Sequence, residues 1–448
     1  MRPRGARIEG SGLMFRFRDL FVSLKVRNYR LFFLGQSVSL IGTWVQRTTI
    51  SWLVYRLTNS PMLLGVVVFL SMIPSLFISP FAGAWADRWN RHRTLIGTQT
   101  FFMLQAALLA VGVLSGFINE ARWWPLLALS LMQGIIQAFD SPFRQHFVLD
   151  LVTKRSLLPN AIASNSTVFN AARLIGPSIG GALIILVGEG ICFAINAASY
   201  LAVIIALMMI RISYPARQRS TQSTTQKILE GWKYTWRSFP IRFLIGNLCV
   251  FMLFALSYAA IIPIFARDIL EGTAGTQGLL LSAAGVGALA SSIYMAGRKS
   301  IKGLPEVAVS LACVASLALI GFALSNSIVF SMIMMLIIGL GMTIQMSSTN
   351  ILIQSVVDEK MRGRVLSVYT MSFHSLTPFG GLLIGFLSKQ LGARLALGIC
   401  AGICLLWSLN ALRLVPNLVN NILRMLVRNK TTELYRPLPV TVDYAEVN

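Results

Sequence analysis

The sequence predicts an all-α membrane protein in which twelve transmembrane helices form two pseudo-symmetric halves of six. Three observations carry that prediction. The 448-residue chain is 55% hydrophobic and only 12% charged, with a mean hydropathy of +0.69, whereas soluble domains carry about 25% charged residues. Twelve stretches are apolar enough, over the roughly 20 residues that a spanning helix needs, to cross a bilayer. Two segments of the first half also resemble two segments of the second.

Taken in order, residues 1–30 form a basic segment with eight Lys and Arg, no uncharged apolar core and no small-residue cleavage site, so a secretory signal is not expected. Within it, "LMFRFRDLFVSLKVRNYR" mixes aromatics with bases and reads either as an interfacial helix or as a plain basic anchor. The N-terminal half, 31–210, holds spans near 31–56, 62–82, 95–117, 123–140, 165–188 and 190–210. The fifth and sixth are joined so tightly, at "VGEGI", that only a hairpin fits. Residues 211–240 form a polar, basic linker in which Trp232 and Trp236, four apart, share a helix face suited to the membrane interface. The C-terminal half, 241–413, holds spans near 241–265, 277–296, 305–324, 328–353, 366–388 and 392–412. A tail, 414–448, begins as a basic surface helix and ends polar with prolines, where disorder is expected.

The net charge of +23 does not indicate nucleic acid, because the bases lie in short segments between apolar runs rather than on one face of a soluble fold. With the N-terminus in the cytoplasm, about 32 of the 39 Lys and Arg fall in tails and inner loops, about five in outer loops and two within spans. Both termini are therefore expected inside. "GIIQAFDSPFRQHFVLDLV" lies over "GMTIQMSSTNILIQSVVDE" with Gln137 facing Gln345 and Asp150 facing Asp358, and "GPSIGGALI" echoes "TPFGGLLIGF". Weak internal repeats of this kind accompany transporter folds whose substrate site lies at mid-membrane between the halves.

The inner loop between spans 2 and 3 reads "GAWADRWNRHRTL". Its Gly83, Asp87, Arg88, Arg91 and Arg93 resemble the loop signature of the major facilitator superfamily, which implies the twelve-helix major facilitator fold. The resemblance implies that the aspartate caps a helix of the opposite half and pairs with arginine, latching the inner gate. A carboxylate at a helix N-terminus is worth about 0.3–1 kcal/mol, enough to bias a two-state equilibrium without locking it. A plain positive-inside loop would explain the arginines but not the acid. The matching loop of the second half, "MAGRKSIKG", keeps Gly297, Arg298 and Lys299 without an acid.

Span 5 carries Gly176, Pro177, Gly180 and Gly181 after Arg173. Such glycines allow close helix contact, and proline removes a backbone donor and can bend the helix into a hinge. The pattern resembles the fifth-helix signature of exporters in the superfamily, and it also suits simple tight packing. Arg173 lies roughly 12 Å from the inner end of its span and Arg47 roughly 24 Å along span 1, at 1.5 Å per residue. An intramembrane arginine is costly and by default functional. Arg47, beside Gln46, either lines the cavity or snorkels outward. Together the two cations suggest a cavity attractive to anions. The nearest acid, Asp140, is four residues before Arg144, a spacing that permits an ion pair if the turn stays helical past Pro142.

"NYRLFFLGQSVSLIGTWVQ", "DSPFRQ", "NAARLIGPSIGG" and "EGWKYTWRSFPIR" add to the resemblance, which runs from about residue 27 to 413 and points to the bacterial branch of the enterobactin exporter and macrolide efflux pumps. One position departs. Where drug antiporters carry a proton-linked arginine three residues before a Gln-Gly pair, Gln133 and Gly134 are present but Ser130 precedes them, so Arg173, Asp140 or Asp87 would have to carry the proton. The pathway residues expected are thus Gln46, Arg47, Asp140, Arg144, Arg173 and Gln345.

Nothing enzymatic emerges: His92, His146 and His374 are far apart, no "GxxxxGK" loop is present, and the five cysteines lie in apolar runs with no metal-site company. No cofactor or metal is expected. The expected protein is a multi-pass transporter of the bacterial inner membrane, exporting an amphipathic or anionic small molecule in exchange for protons. A proton-coupled importer of an organic anion, or a non-transporting sensor or assembly factor, is the alternative. Its partners are a small-molecule substrate, protons and membrane lipids, without nucleic acid and with a monomer as the simplest state.

Overall fold

A computed structural model describes residues 19–86, 89–152, 157–211, 224–298 and 300–428. The regular elements among them are helical. After a short 3-10 turn at Asp19–Lys25 come twelve crossing helices: α1 Arg27–Thr58, α2 Pro61–Trp85, α3 Arg91–Leu114, α4 Trp124–Leu151, α5 158–187, α6 189–209, α7 Phe239–Ile269, α8 Ala274–Gly297, α9 Leu304–Leu324, α10 Ile328–Val356, α11 Glu359–Leu391 and α12 Ala393–Arg428. A separate linker helix spans Thr224–Arg237. The face carrying the linker helix, the even-to-odd loops and the first and last described residues is the linker face; the other is the opposite face.

Each apolar span of the sequence corresponds to one of these helices, the third overrunning α3 by three residues at the opposite face, while the helices run further at the linker face. α4 continues past Asp140 to Leu151, α5 begins at 158, α11 at Glu359, and α12 runs to Arg428. Apolarity marks the turns inside the hydrocarbon layer, and the extra turns of α4, α5 and α11 mix polar and charged residues into the run, while those of α12 are amphipathic, with Leu418 and Ile422 buried. α5 and α6 form one unbroken hydrogen-bonded run in which only Gly188 leaves helical dihedrals, at φ 80° and ψ 168°. That region is all but closed to residues with a Cβ. Eight helical runs meet a strict apolar standard, one of them holding both α5 and α6. The helices left over, α1, α4 and α11, are the polar ones.

Close glycine contacts set the packing within the N-terminal half. A Cβ at Gly42 of α1 would lie 2.4 Å from Ser199 Oγ of α6, and one at Gly176 would meet Trp44 of α1 at 2.4 Å. Other glycines join the halves. A Cβ at Gly65 of α2 would sit 2.4 Å from the Gly381 carbonyl of α11, and one at Gly181 of α5 would sit 2.5 Å from the Ala274 carbonyl of α8. Small residues at such crossings let backbones touch where lipid provides no hydrophobic drive.

The halves meet at the opposite face and part toward the linker face. One apolar core runs through both halves there, from Leu53, Leu64 and Phe193 to Phe251, Phe265 and Phe322. Toward the linker face it divides into a core confined to the N-terminal half, around Phe143, Phe147 and Val203, and one confined to the C-terminal half, around Leu304, Ile353 and Val365. Helix faces repeat every seven residues, so Thr167 and Ala163 continue the face by which α5 touches α8 at Leu174 and Gly181. Both are exposed. On α11 the face of Gly381 continues to Thr370, Ser367 and Gly363, which are exposed too. A central cavity therefore opens to the linker face.

Candidate substrate cavity and gates

The structure brings together part of the expected pathway around one small pocket of the N-terminal half. α1 contributes Gln36, Trp44 and Arg47, α3 Gln99 and Phe102, and α4 Gln137, Asp140 and Arg144, with Phe169 of α5 and Tyr200 of α6 closing the sides. Arg47 is exposed inside this pocket, with its guanidinium 4.9 Å from the Trp44 ring centre. Trp44 in turn meets Phe169 edge-on at 6.0 Å.

α4 stays helical through Pro142, so Asp140 and Arg144 stand one turn apart and pair, Nε to Oδ2, at 3.5 Å. Asp140 is 1% exposed. Its Oδ1 accepts from Thr98 Oγ1 at 2.9 Å and from Gln99 Nε2 at 2.7 Å. Three donors thus converge on one buried carboxylate, which costs little only because it is so fully bonded. Arg173 of α5 is half-buried and does not line this pocket. No acid pairs with Arg173 or Arg47 among the described residues.

Gln46 is not with them. It is 1% exposed, donates to Gln105 Oε1 at 3.0 Å and accepts from Asn196 at 2.8 Å, so it ties α1 to α3 and α6 away from the pocket. Gln345 is also buried and outside the pocket, and its Oε1 has no partner among the described residues. Three residues on stands Ser348, where Asp140 stands after Gln137; the cationic site therefore has no twin in the second half. Ser130 bonds its own helix, donating to the Leu126 carbonyl at 2.7 Å, and the neutral Gln46–Gln105–Asn196 network lies close by, Gln105 donating to the Leu129 carbonyl at 3.2 Å.

The glycine-proline segment works as a contact surface. Gly176 and Gly180 press on α1, while Gly181 and the Pro177 carbonyl press on α8 of the other half, and the backbone keeps helical dihedrals through all four. Pro177 leaves the helical dihedrals of α5 unbroken, and the chain reverses at Gly188, within the "VGEGI" stretch where the hairpin is expected.

Of the loop signature, Asp87 and Arg88 lie outside the described residues. Gly83 lies in the last turn of α2, with open space where a Cβ would stand, and Arg93 is exposed next to the Asn90 cap of α3. Arg91 is buried, gives its Nε to the Ala86 carbonyl at 2.6 Å, and pairs with Asp150 of α4 at 3.0 Å. That pair staples the loop to its own half. Removing one side of such a buried pair costs about 3–5 kcal/mol, so Asp150→Ala should lower the thermal unfolding midpoint of the purified protein by several degrees, while Arg93→Ala leaves it unchanged. In the second half Arg298 closes its own turn on Tyr294 and Ser300, Lys299 lies outside the described residues, and Asp358 accepts from Tyr234 of the linker helix at 3.1 Å.

A lock at the opposite face joins residues that no sequence pattern links. Tyr55 of α1 bonds Asp268 of α7, Arg267 donates to Asn59 at 2.8 Å, and Gln277 of α8 donates to Ser51 at 2.8 Å. Lower down, Ser282 Oγ donates to the Leu174 carbonyl at 2.7 Å and accepts from Ser178.

Two six-helix halves, sealed at one face and parted at the other around a polar cavity, define a multi-pass membrane transporter of the major facilitator type. A family profile described as "Transmembrane secretion effector" matches residues 20–430. The chain belongs to that family of major facilitator transporters, and it is not an enzyme. Among curated proteins it is 24% identical to the staphyloferrin A transporter of Staphylococcus aureus, over 81% of this chain and 90% of that protein. It is likewise 24% identical to the multidrug efflux pump Tap of Mycobacterium tuberculosis, over 78% of this chain and 84% of that one. Among solved structures it shares the fold of the nucleoside transporter NupG, with a TM-score of 0.64 at 16% identity over 87% of this chain and 98% of that one. The bacterial homolog of the human lysosomal transporter Spinster gives a TM-score of 0.62 at 14% identity, covering 90% of this chain and 96% of that one.

Proposed function

We propose that this protein is a secondary active exporter of the bacterial inner membrane, with its termini in the cytoplasm, that moves an amphipathic or anionic small molecule outward in exchange for protons. A siderophore or a macrolide-like drug fits that description, and relatives named for staphyloferrin A and for multidrug efflux support it. The observation that carries the reading is the exposed Arg47 in one pocket with the buried Asp140–Arg144 pair.

An anionic group of the substrate sits against Arg47, with Trp44 and Phe169 covering its apolar part. A proton reaching Asp140 removes the counter-charge of Arg144, which then turns to the substrate anion. Arg144 thus couples the proton to the substrate, because its guanidinium holds either the ionised Asp140 or the substrate anion and not both at once. The loop of Gly83, Asp87, Arg88, Arg91 and Arg93 gates the linker face, the opposite-face lock opens when that face closes, and the protein works as a monomer among lipids.

The deciding experiment is mass spectrometry of spent medium and cell extract from the native organism with and without the gene, under iron limitation and in rich medium. Export requires a metabolite that disappears from the medium and accumulates in the cells. Depletion from the cells instead would mark an importer, and unchanged pools under both conditions would remove the proposal of a dedicated exporter.

A further inference from the structure

The linker helix has three distinct stripes. Gly231, Tyr234 and Thr235 pack on α11, so closely that a Cβ at Gly231 would lie 2.6 Å from the Arg364 carbonyl. Leu229, Trp232 and Trp236, spaced three and four apart, form a second stripe and are 70%, 39% and 65% exposed. Large apolar side chains so exposed on a helix of a membrane protein belong at the lipid interface, where tryptophan is favoured. The third stripe is Glu230, Lys233 and Arg237.

α12 is 36 residues long, well beyond the roughly 20 that cross a bilayer. Its surplus turns lie back on the C-terminal half through Leu418 and Ile422, and so carry Arg424 to the linker helix. Between the two runs an open pocket with Lys233, Arg237 and Arg424 at its rim and Met361 and Met425 in its wall. Glu230 is taken by Arg364, and no acid pairs with the three bases among the described residues.

We infer that this pocket is a binding site for the phosphate of an anionic phospholipid, distinct from the transport cavity. The tryptophan stripe sets the helix at headgroup depth, the three uncompensated cations meet the phosphodiester, and the methionine wall lies against the glycerol and upper acyl carbons. Basic pockets at helix ends hold anionic headgroups by the same chemistry.

The test is native mass spectrometry of the full-length protein in detergent with short-chain phosphatidylglycerol, with phosphatidylcholine of the same chain length, and with glycerol phosphate. Retained phosphatidylglycerol should exceed phosphatidylcholine at least tenfold in the unaltered protein. That preference should be lost in Lys233→Ala/Arg237→Ala/Arg424→Ala and kept in Arg122→Ala, which removes an exposed base at the opposite face. Should the triple variant not fold, Arg237→Gln/Arg424→Gln takes its place. Equal retention of the two lipids, or an unchanged preference in the variants, overturns the site, and glycerol phosphate displacing the lipid at equal concentration overturns the lipid as its occupant.

Discussion

Asp140→Asn should reach the membrane and fold, yet export the substrate at no more than about a tenth of the normal rate, a loss of about 1.4 kcal/mol in the driving interaction. The amide keeps the shape of the carboxylate and can still accept from Thr98 or Gln99, so the bundle has no reason to come apart. What it lacks is charge: Arg144 loses its partner and the proton loses its carrier. Arg47→Gln should weaken substrate binding instead, raising KM more than it lowers the maximal rate. Proteoliposomes loaded with the identified metabolite separate the two. The Asn variant should still exchange labelled for unlabelled substrate while failing to accumulate it under an imposed pH gradient. Gradient-driven accumulation at the normal rate would remove Asp140 from the mechanism.

Gly181→Val should jam the opposite face. A Cβ there would lie 2.5 Å from a backbone carbonyl of α8, and neither backbone can yield without parting the halves. Overpacking of this size costs about 1–3 kcal/mol, all of it borne by the state seen here. The population should move about tenfold toward the state closed at the linker face. A cysteine at Thr167, exposed on the parted face of α5, reports it. With an impermeant thiol reagent added from the linker side, labelling of Thr167→Cys should fall about tenfold in the Gly181→Val background, and transport should stop. Unchanged labelling would mean that this crossing does not govern which face is open.

These residues also show how far the sequence could be read. The apolar runs place all twelve crossings because the hydrocarbon layer imposes its own composition, and Asp140 with Arg144 is legible because four residues make one helical turn. Thr98 and Gln99, which complete that carboxylate's bonds, lie 42 and 41 residues away and carry no pattern linking them to it. Tyr55 and Asp268 are 213 residues apart and meet only because the two halves fold against each other. Gln46 was misplaced for a related reason: adjacent residues on a helix point about 100° apart, so the neighbour of a cavity-lining arginine is turned into the bundle. The linker-face turns of α4, α5 and α11 escaped because a hydropathy reading ends where the lipid does, while those of α12 agree with the basic helix expected at the start of the tail.

The reversal at Gly188 bears on how the chain is made. With one residue between α5 and α6, neither helix can cross the membrane ahead of the other and wait, since no slack exists to let a lone strand of chain dangle on the far side. The two are thus expected to enter the membrane together as a single hairpin. An epitope tag spliced at that corner would separate two helices that the chain joins through a single residue.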